Sequence, residues 1–316
     1  MNYIVLDLEW NQSMHSDSEK SLVFEIIEIG AVKLNENFEK KGNYQRLIKP
    51  VLHKKIHPII SNITSLHDRD FTHERGFVAI ISEFFKWCGD DCVFCTYGSQ
   101  DLYELQCNMS YHNYKNSWKF PLKYIDVQKI FSVENNEEQE QMSLENAAKF
   151  LNVKQKNVYH RALGDAMYTA EILKLLDKEN LYKYMSLDYF NQPLDRNDEK
   201  EIELGTHNEY ITSAFNDKEV LFKYSELYIT RCPICRRKCR KKIKWFSDGS
   251  KYVCVAKCEE HGFLEGIISI KKVYQSDKYY AIRKISSISE EKYNYVAKRK
   301  ENIRVKRRLK RKSSGN

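Results

Sequence analysis

The feature that most constrains the fold is the stretch "YIVLDLEWNQ", residues 3–12, a strand-like apolar run that carries two acids. Residues i and i+2 of a strand point to the same side, so Asp7 and Glu9 stand together while Leu6 and Leu8 face a core. Two like charges this close are unfavourable without a neighbouring cation, and the segment holds no Lys or Arg. Carboxylates suit Mg²⁺ and Mn²⁺, so the pair is a candidate metal site. The alternative is an edge strand with solvated acids.

The order of the remaining strand-like and helix-like runs indicates the class of fold. Strand-like runs occupy residues 3–8, 23–33, 44–48 and 92–98, and helix-like runs occupy residues 76–87, 100–112, 143–151 and 161–177. Strands that come first and then alternate with helices are typical of an α/β domain. We therefore predict one α/β domain of roughly 180 residues at the N-terminal end of the chain.

Two further segments carry acids where catalytic groups gather in α/β proteins. Asp101 follows the strand-like run 92–98, although an acid there also suits the start of a helix. Asp165 lies among small and apolar residues of a predicted helix, five positions after His160. On one continuous helix the two would diverge by roughly 140°, so they converge only if His160 lies on the preceding loop. A histidine with a pKa near its usual value of about 6.5 suits a general base, although a loop histidine is commonly a surface residue.

Taken together, D-x-E on the first strand, an Asp after a central strand and H-x4-D before a late helix form one pattern. The chain resembles the DEDDh 3′–5′ exonuclease superfamily over about residues 1–180. The resemblance is to the RNase T and DNA polymerase III proofreading-subunit type, and within it to the Eri-like and KapD-like branch. "EIIEIGAVKL" and "YGSQD" support it, as does "ITSLHDRDF", in which Ser65 stands where the family has glycine.

The resemblance implies a ribonuclease H-like mixed sheet flanked by helices and two Mg²⁺ or Mn²⁺ ions about 4 Å apart. By analogy Asp7 would bridge both metals, Glu9 and Asp165 would hold the one that binds the attacking water, and Asp101 would support the other. His160 would deprotonate that water, and the product would be a nucleoside 5′-monophosphate. All five catalytic positions are present, which argues against an inactive site.

The resemblance also implies contacts to the terminal nucleotide. In the family, residues after the first motif and in the I-T-G-[ILM] segment hold that nucleotide. Here these positions are Trp10, Asn11, Leu66 and His67, with stacking on the base as the physical reason. Ser65 departs from the family glycine and puts the fine geometry in doubt. Leu66 equally suits a position in the core.

Closely spaced cysteines in the C-terminal half predict a second kind of metal site. The best four-ligand set has the spacing C-x2-C-x18-C-x3-C: Cys232, Cys235, Cys254 and Cys258. Two such knuckles on either side of a predicted hairpin are the layout of a zinc ribbon with one structural Zn²⁺. Cys239 or His261 could replace one ligand. The alternative, a few reduced core cysteines, explains neither the spacing nor the lack of a hydrophobic core in this segment.

The net charge of +8 is unevenly distributed. Residues 292–316 carry a net charge of +10 and residues 231–261 one of +7, which leaves −9 for the rest. Two basic segments on an acidic body indicate a polyanionic partner, although a basic tail can also serve solubility alone. We predict four segments: an exonuclease domain (1–183), a linker with a short helix (184–226), a zinc-ribbon-like domain (227–271) and a basic C-terminal extension (272–316).

These patterns favour a metal-dependent 3′–5′ exonuclease that acts on single-stranded nucleic acid, with RNA preferred to DNA. Two alternatives stay open: a DNA proofreading or repair exonuclease, and a binding adaptor with a vestigial nuclease domain. A protein partner could also dock on the zinc module. No apolar run approaches the roughly 20 residues of a membrane span, no secretory signal is recognisable, and nine cysteines suit a reducing compartment. We therefore expect a cytoplasmic protein without a membrane partner.

Overall fold

The structure is a computed structural model that describes residues 1–13, 22–118, 120–135, 142–154 and 159–313, the last with side chains as far as residue 309. The chain forms two compact units, Met1–Phe190 and Asn191–Asn316. Each is described by itself. In the part of the chain that the structure covers, every helix is too short or too polar to cross a membrane.

The first unit is built on a six-stranded mixed sheet. Its strands are β1 (Asn2–Gln12), β2 (Phe24–Leu34), β3 (Lys40–Leu47), β4 (Cys92–Thr96), β5 (Lys123–Asp126) and β6 (Ser186–Leu187). They lie in the order β3-β2-β1-β4-β5-β6. β1 pairs antiparallel with β2 and parallel with β4, and β4 pairs parallel with β5. The predicted mixed sheet with flanking helices is confirmed.

Helices cover both faces of this sheet. They are α1 (Pro58–Thr64), α2 (Phe77–Cys88), α3 (Gln100–Tyr111), α4 (Val127–Glu134), α5 (Leu144–Phe150), α6 (Ala162–Leu175) and α7 (Lys178–Lys183). Ile4 and Leu6 of β1 are buried against α2 and α3, whereas Tyr3 and Val5 are buried against α4, α5 and α6. Because side chains of a strand alternate, Asp7 continues the face of Tyr3 and Val5, which is the face covered by α6.

Gly30 of β2 lets the start of α6 approach the sheet closely. A Cβ added at Gly30 would lie 2.1 Å from both Ala162 C and Leu163 N, so only glycine leaves room for this backbone contact. Gly30 lies opposite Asp7 in the pairing of β1 with β2. The close approach therefore brings the first turn of α6, which carries Asp165, next to the acids of β1.

The second unit is a six-stranded antiparallel sheet with two helices. Its elements are β7 (Glu201–Glu203), β8 (His207–Ile211), α8 (Lys218–Phe222), β9 (Arg240–Asp248), β10 (Lys251–Cys258), β11 (Gly262–Lys272), β12 (Tyr279–Ile288) and α9 (Glu290–Ser313). The strand order is β7-β8-β12-β11-β10-β9. The predicted zinc-ribbon strands are β9 and β10, which form one edge of this larger sheet.

The structure divides the C-terminal half differently from the three segments predicted there. α8 lies where a short helix was expected in the linker, but β7 and β8 of that same segment belong to the sheet, and so does β12 of the predicted basic extension. The segment looks like a linker because it is polar, yet several of its polar groups are paired inside the unit. The Glu199 carboxylate accepts hydrogen bonds from Ser213 N (2.8 Å) and from the Tyr224 hydroxyl (2.7 Å). Buried Arg283 likewise pairs with Glu201 (2.9 Å).

Candidate active site

Three of the predicted catalytic acids meet beside the second half of β1. Asp7 and Glu9 project from β1, and Asp165 projects from the first turn of α6. One carboxylate oxygen of each lies within 4.8 Å of the others. The two strand acids are half-buried and Asp165 is buried, so the group is a partly enclosed cluster of oxygen ligands.

The surroundings of this cluster disfavour negative charge. Burial, reinforced by the charges of Asp101 and Asp165, raises the pKa of Asp7 well above its usual value. Burial and the neighbouring carboxylates raise the pKa of Glu9 to about 8, with Arg161 opposing this. Burial likewise raises the pKa of Asp165 to about 6. Like charges held this close in a buried site indicate that a cation completes it.

Asp165 provides an independent test of whether a metal ion fits. Its Oδ2 accepts a hydrogen bond from His160 N at 3.0 Å. Its Oδ1 is buried and has no hydrogen-bond partner among the described residues. A buried oxygen without a partner costs free energy, and a bound cation would satisfy it. Because the donors are all carboxylates, the site fits Mg²⁺ or Mn²⁺.

Asp101 lies beside this cluster and forms a hydrogen bond to the backbone of β1. It stands in the first turn of α3 and its Oδ1 accepts a hydrogen bond from Leu8 N at 3.1 Å. The pairing of β1 with β4 ends at Val5, so the backbone beyond this point needs another partner. Burial raises the pKa of Asp101 to about 7, although the Leu8 N–H opposes this. The carboxylate therefore stands next to the two strand acids, just outside the tight group of three.

His160 lies on the loop before α6. This is the position from which the sequence analysis expects it to converge with Asp165. The residue has φ 61°, in the left-handed region, and its side chain is exposed. Its backbone is tied to Asp165 while its imidazole stays accessible. Residues 155–158, just before this loop, lie outside the described part of the chain.

Glu28 and Arg161 are two residues of the site that sequence reasoning missed. Glu28 is fully buried on β2 opposite Glu9. Arg161 donates to its two oxygens from Nε (2.9 Å) and Nη2 (2.8 Å), and Gln45 Nε2 donates to it at 2.7 Å. The pair fixes the segment between His160 and α6. The signal that could have revealed it is the acid within "EIIEIG", another charged residue in an otherwise apolar strand.

Asn11, a predicted substrate contact, is a buried structural residue. Its Nδ2 donates to the carbonyls of His53 and Lys55, at 2.9 Å each. Its Oδ1 accepts from His57 N at 2.9 Å. The side-chain amide therefore shapes the loop that leads into α1 and has little capacity left for a nucleotide.

The other three predicted substrate contacts have different surroundings. Trp10 is half-buried beside Phe24, with ring centroids 5.7 Å apart, next to a register shift in β1. Leu66 is buried in an apolar cluster, in agreement with the core alternative. His67 is exposed on the wall of a surface cavity of about 580 Å³. Ser65 ends α1 with φ 60°, a conformation that glycine adopts at lower cost.

In the second unit, three cysteines and one histidine form a compact cluster: Cys232, Cys235, Cys258 and His261. The Cys232 and Cys258 Sγ atoms each lie 3.5 Å from His261 Nδ1, and Cys235 Sγ lies 3.6 Å from Cys258 Sγ. Zinc–sulfur bonds of about 2.3 Å and zinc–nitrogen bonds of about 2.0 Å in a tetrahedron require S–S and S–N separations of about 3.8 and 3.5 Å. The cluster therefore fits a closed Zn²⁺ site.

Cys254, predicted as a ligand, stands apart from this cluster, and His261 takes the fourth position. Cys254 and Cys258 belong to one continuous strand, β10, and four residues of strand span about 13 Å. Cys254 is instead packed beneath Gly266, where an added Cβ would lie 2.7 Å from its Sγ. Burial raises the pKa of this thiol to about 12. Cys239 is adjacent to the cluster but outside the group of four.

The mixed sheet and the acid cluster define a ribonuclease H-like exonuclease domain. The sequence model of the RNase T exonuclease family matches residues 4–173, slightly more than half of the chain. The chain therefore belongs to the RNase T exonuclease family. Among curated proteins, none matches it in sequence.

Solved structures show the same fold. A full-length 3′-exonuclease is similar at 17% identity with a TM-score of 0.50, over 58% of this chain and 84% of that one. The nuclease domain of 3′hExo, a DEDDh family member bound to rAMP, is similar at 17% identity with a TM-score of 0.51, over 60% of this chain and 96% of that one. A 3′-exonuclease that recognises the 3′ end of the histone mRNA stem-loop is similar at 16% identity with a TM-score of 0.50, over 60% of this chain and 90% of that one.

Proposed function

We propose that the chain is a metal-dependent 3′–5′ exonuclease that removes nucleoside 5′-monophosphates from single-stranded nucleic acid, with RNA favoured over DNA. The observation that carries this proposal is the buried carboxylate cluster, with its unpartnered Asp165 oxygen and with exposed His160 beside it. Similarity of fold to exonucleases that act at 3′ ends, one bound to rAMP and one on an mRNA stem-loop, supports the polarity and the preference for RNA.

The residues that would hold the metal ions are Asp7, Glu9 and Asp165, with Asp101 supporting a second ion. Two divalent cations would neutralise these acids and stabilise the negative charge that develops on the phosphate. The raised pKa values of these carboxyl groups make ion binding and proton binding competitive.

The chain's own part in the reaction is to position groups and to accept a proton. A water oxygen forms a bond to the phosphorus on the 5′ side of the terminal nucleotide, the bond from that phosphorus to the 3′ oxygen of the preceding nucleotide breaks, and this oxygen takes a proton from solvent to become the new 3′-hydroxyl. The proton of that water passes to His160, whose exposed imidazole suits a general base. Asp165 Oδ2 holds the His160 backbone, and the Glu28–Arg161 pair holds the segment that follows.

The second unit would hold one structural Zn²⁺ through Cys232, Cys235, Cys258 and His261. Although burial raises the pKa of the Cys258 thiol, hydrogen bonds from the His261 and Glu260 N–H groups bring it down to about 6. A thiolate is therefore available at neutral pH, which is the form that binds zinc. The ion would fix the turn before β9 to the hairpin of β10 and β11.

The proposal is tested with 5′-labelled single-stranded RNA and DNA of the same sequence, incubated with Mg²⁺ or Mn²⁺. We expect a descending ladder of products, faster on RNA, that Asp7→Ala abolishes. A 3′-labelled copy of each strand should release only labelled mononucleotide. Faster cleavage of DNA would favour the repair exonuclease instead. Retained binding without cleavage of either strand would contradict the proposal and favour the adaptor.

A further inference from the structure

Helix α9 crosses one face of the second sheet, and its first turns pack on that sheet through apolar side chains. Val296 is buried in a cluster with Ile243 of β9 and with two valines of β10. The Tyr293 ring stacks on Phe263 of β11, with centroids 4.3 Å apart and planes inclined by 4°. The start of α9 is thus an ordinary amphipathic helix on a sheet.

The stripe of α9 that faces the sheet changes from apolar to basic after Ala297. Positions three, four and seven residues apart share one helix face, so the stripe of Tyr293 and Val296 continues through Lys300, Arg304 and Arg307. These residues border a groove of about 330 Å³, called the basic groove below. Its lining is Phe246, Lys300, Ile303, Arg304, Arg307 and Arg308.

A bulge in β9 places Phe246 on the same face as α9. Phe246 pairs with Val253 and Ile243 pairs with Val255, so three residues of β9 span two of β10. Without this extra residue, alternation would turn Phe246 to the other face. Lys300 Nζ lies 5.5 Å from the centroid of the Phe246 ring. The groove therefore has an aromatic floor beneath its cations.

Two contacts hold α9 along the edge strand beyond its apolar turns. Arg299 forms a two-pronged ion pair with Asp248 at the end of β9, with Nη2 at 2.9 Å from Oδ1. About two turns further on, Arg307 Nη2 donates to Ser247 O at 3.2 Å. Both ends of the basic groove are thus fixed to β9, so the groove is a formed surface of this unit.

The positive charge of α9 around the basic groove is not neutralised by acids of the same helix. Residues 298–309 contain seven Lys and Arg and a single acid, Glu301, which lies 3.4 Å from Arg304 Nη1. Like charges three and four residues apart destabilise a helix, and exposed ion pairs offset little of this. A polyanion would relieve the repulsion. A solvated basic face would relieve it too, but would not need the aromatic floor.

We propose that the basic groove between β9 and α9 binds the sugar–phosphate backbone of a single-stranded nucleic acid, with a base in contact with Phe246. This surface deepens the proposed function, on which the identity of its occupant rests. One cation per turn of α9, about every 5.4 Å, forms a row that a repeating phosphate chain can follow. Guanidinium groups also match phosphate oxygens in pairs. An acidic protein offers charge but no such repeat.

The test compares two triple variants of the full chain, both made in an Asp7→Asn background so that the strand is not consumed. The groove variant carries Lys300→Gln, Arg304→Gln and Arg307→Gln. The control carries three changes on exposed lysines of the same helix outside the groove: Lys292→Gln, Lys298→Gln and Lys306→Gln. Both lose the same charge, and thermal melting checks that both fold. Binding of a fluorescent 20-nucleotide RNA strand is measured by anisotropy between about 0.05 and 1 M salt, a range of about 1.3 decades.

We expect the groove variant to lose about 2 units of the slope of log K against log [salt], from about 0.7 unit per phosphate contact. Binding at 0.1 M salt then falls about 100-fold relative to the parent, whereas the control stays within about threefold. Phe246→Leu, which keeps every charge, should weaken binding at least about fivefold at an unchanged slope.

Equal losses in the two triple variants would overturn the proposal, because diffuse charge would then explain the binding. A groove variant that keeps RNA affinity but no longer binds poly-L-glutamate would overturn it in favour of an acidic protein. These outcomes are separate from the fate of the proposed function. Binding is measured without catalysis, and cleavage of RNA by the unaltered chain decides the exonuclease activity whatever the groove does.

Discussion

The two candidate metal sites of this chain differ in what holds their ligands. The acids of the first unit stand on the second half of a strand and in the first turn of a helix, and two large apolar layers fix both elements in place. The thiols of the second unit stand in a turn and a hairpin whose own apolar cluster is small. Half of the buried members of that cluster are cysteines: Cys232, Cys239 and Cys258 beside Ala256, Leu264 and Ile285.

This difference predicts opposite roles for the ions. The first unit assembles its acids despite their repulsion, so the fold supplies the free energy and a bound metal ion would supply the chemistry. In the second unit a Zn²⁺ ion would replace apolar residues that the cluster lacks, so it would contribute to folding. Removing a ligand should therefore cost activity in the first unit and structure in the second.

The largest effect is expected from Asp7→Ala. Loss of this acid should lower kcat by about 10³-fold or more, because the charge on the phosphate loses its main stabilisation. Without metal at pH 8, the melting temperature should stay the same or rise, since burial and the neighbouring acids raise the pKa of Asp7 and its charge destabilises the fold. Activity on 5′-labelled RNA and thermal melting check both expectations.

Asp126→Ala is the matched control in the same unit. Asp126 accepts a hydrogen bond from Lys129 N at 3.0 Å and begins α4. Its loss should cost about 1 kcal/mol of the free energy of unfolding and leave kcat unchanged. If Asp7→Ala instead lowered the melting temperature as much as this control does, the acid cluster would be a structural site.

The second largest effect is a difference in zinc binding between a variant of Cys258 and a variant of Cys254. We expect Cys258→Ser to abolish zinc binding and to unfold the β9–β10 edge, whereas Cys254→Ser keeps one zinc per chain. Metal content is measured by mass spectrometry after dialysis, and the edge by amide hydrogen exchange. Zinc lost from both variants would show that Cys254 is a ligand after all. Zinc lost from neither would rule out the cluster with His261.

A smaller effect is expected from Glu28→Gln. Outer partners that orient ligands contribute about 10- to 100-fold to activity, so kcat should fall by that factor while KM changes little. Glu83→Gln is the control, because Glu83 also pairs with an arginine, Arg46, at 3.0 Å but lies at the surface. A rise in KM at constant kcat would show that Arg161, freed from Glu28, acts on the substrate and not on the position of His160.

Much of the first unit was predictable from the sequence because its rules are local. Alternation along β1 set Asp7 and Glu9 on one face, and the loop position of His160 followed from the need to meet Asp165. The role of Asn11 was not predictable, since its partners are backbone carbonyls more than 40 positions away. Sequence shows which side chains can form hydrogen bonds but not which distant loop needs them.

The second unit was harder to predict because polar composition concealed burial. His207, Asn208 and Glu209 lie consecutively in β8, and each is less than 5% exposed, although such residues are typical of a linker. Three of the four predicted zinc ligands lie in the cluster, and Cys254 lies outside it for a related reason. The spacing of Cys254 and Cys258 suits a metal knuckle, but only strand pairing shows that β10 runs straight through both.

The smallest effect is the dependence of stability on pH, which we expect at the acid cluster of the first unit. In the acid cluster the pKa values of Glu9, Asp101 and Asp165 are raised to about 8, 7 and 6, whereas in the unfolded chain they lie near 4. The folded state then binds more protons than the unfolded state between about pH 4 and 8, so the metal-free unit loses stability as pH rises through that window. A Mg²⁺ ion at this site would bind the deprotonated acids, so its affinity should rise over the same window and cancel the loss. Thermal melting from pH 6 to 8, with and without Mg²⁺, measures the effect.

A metal-free melting temperature of the first unit that rises with pH would contradict this expectation. It would show that the fold already neutralises the acids, and the contrast with the thiol site would disappear.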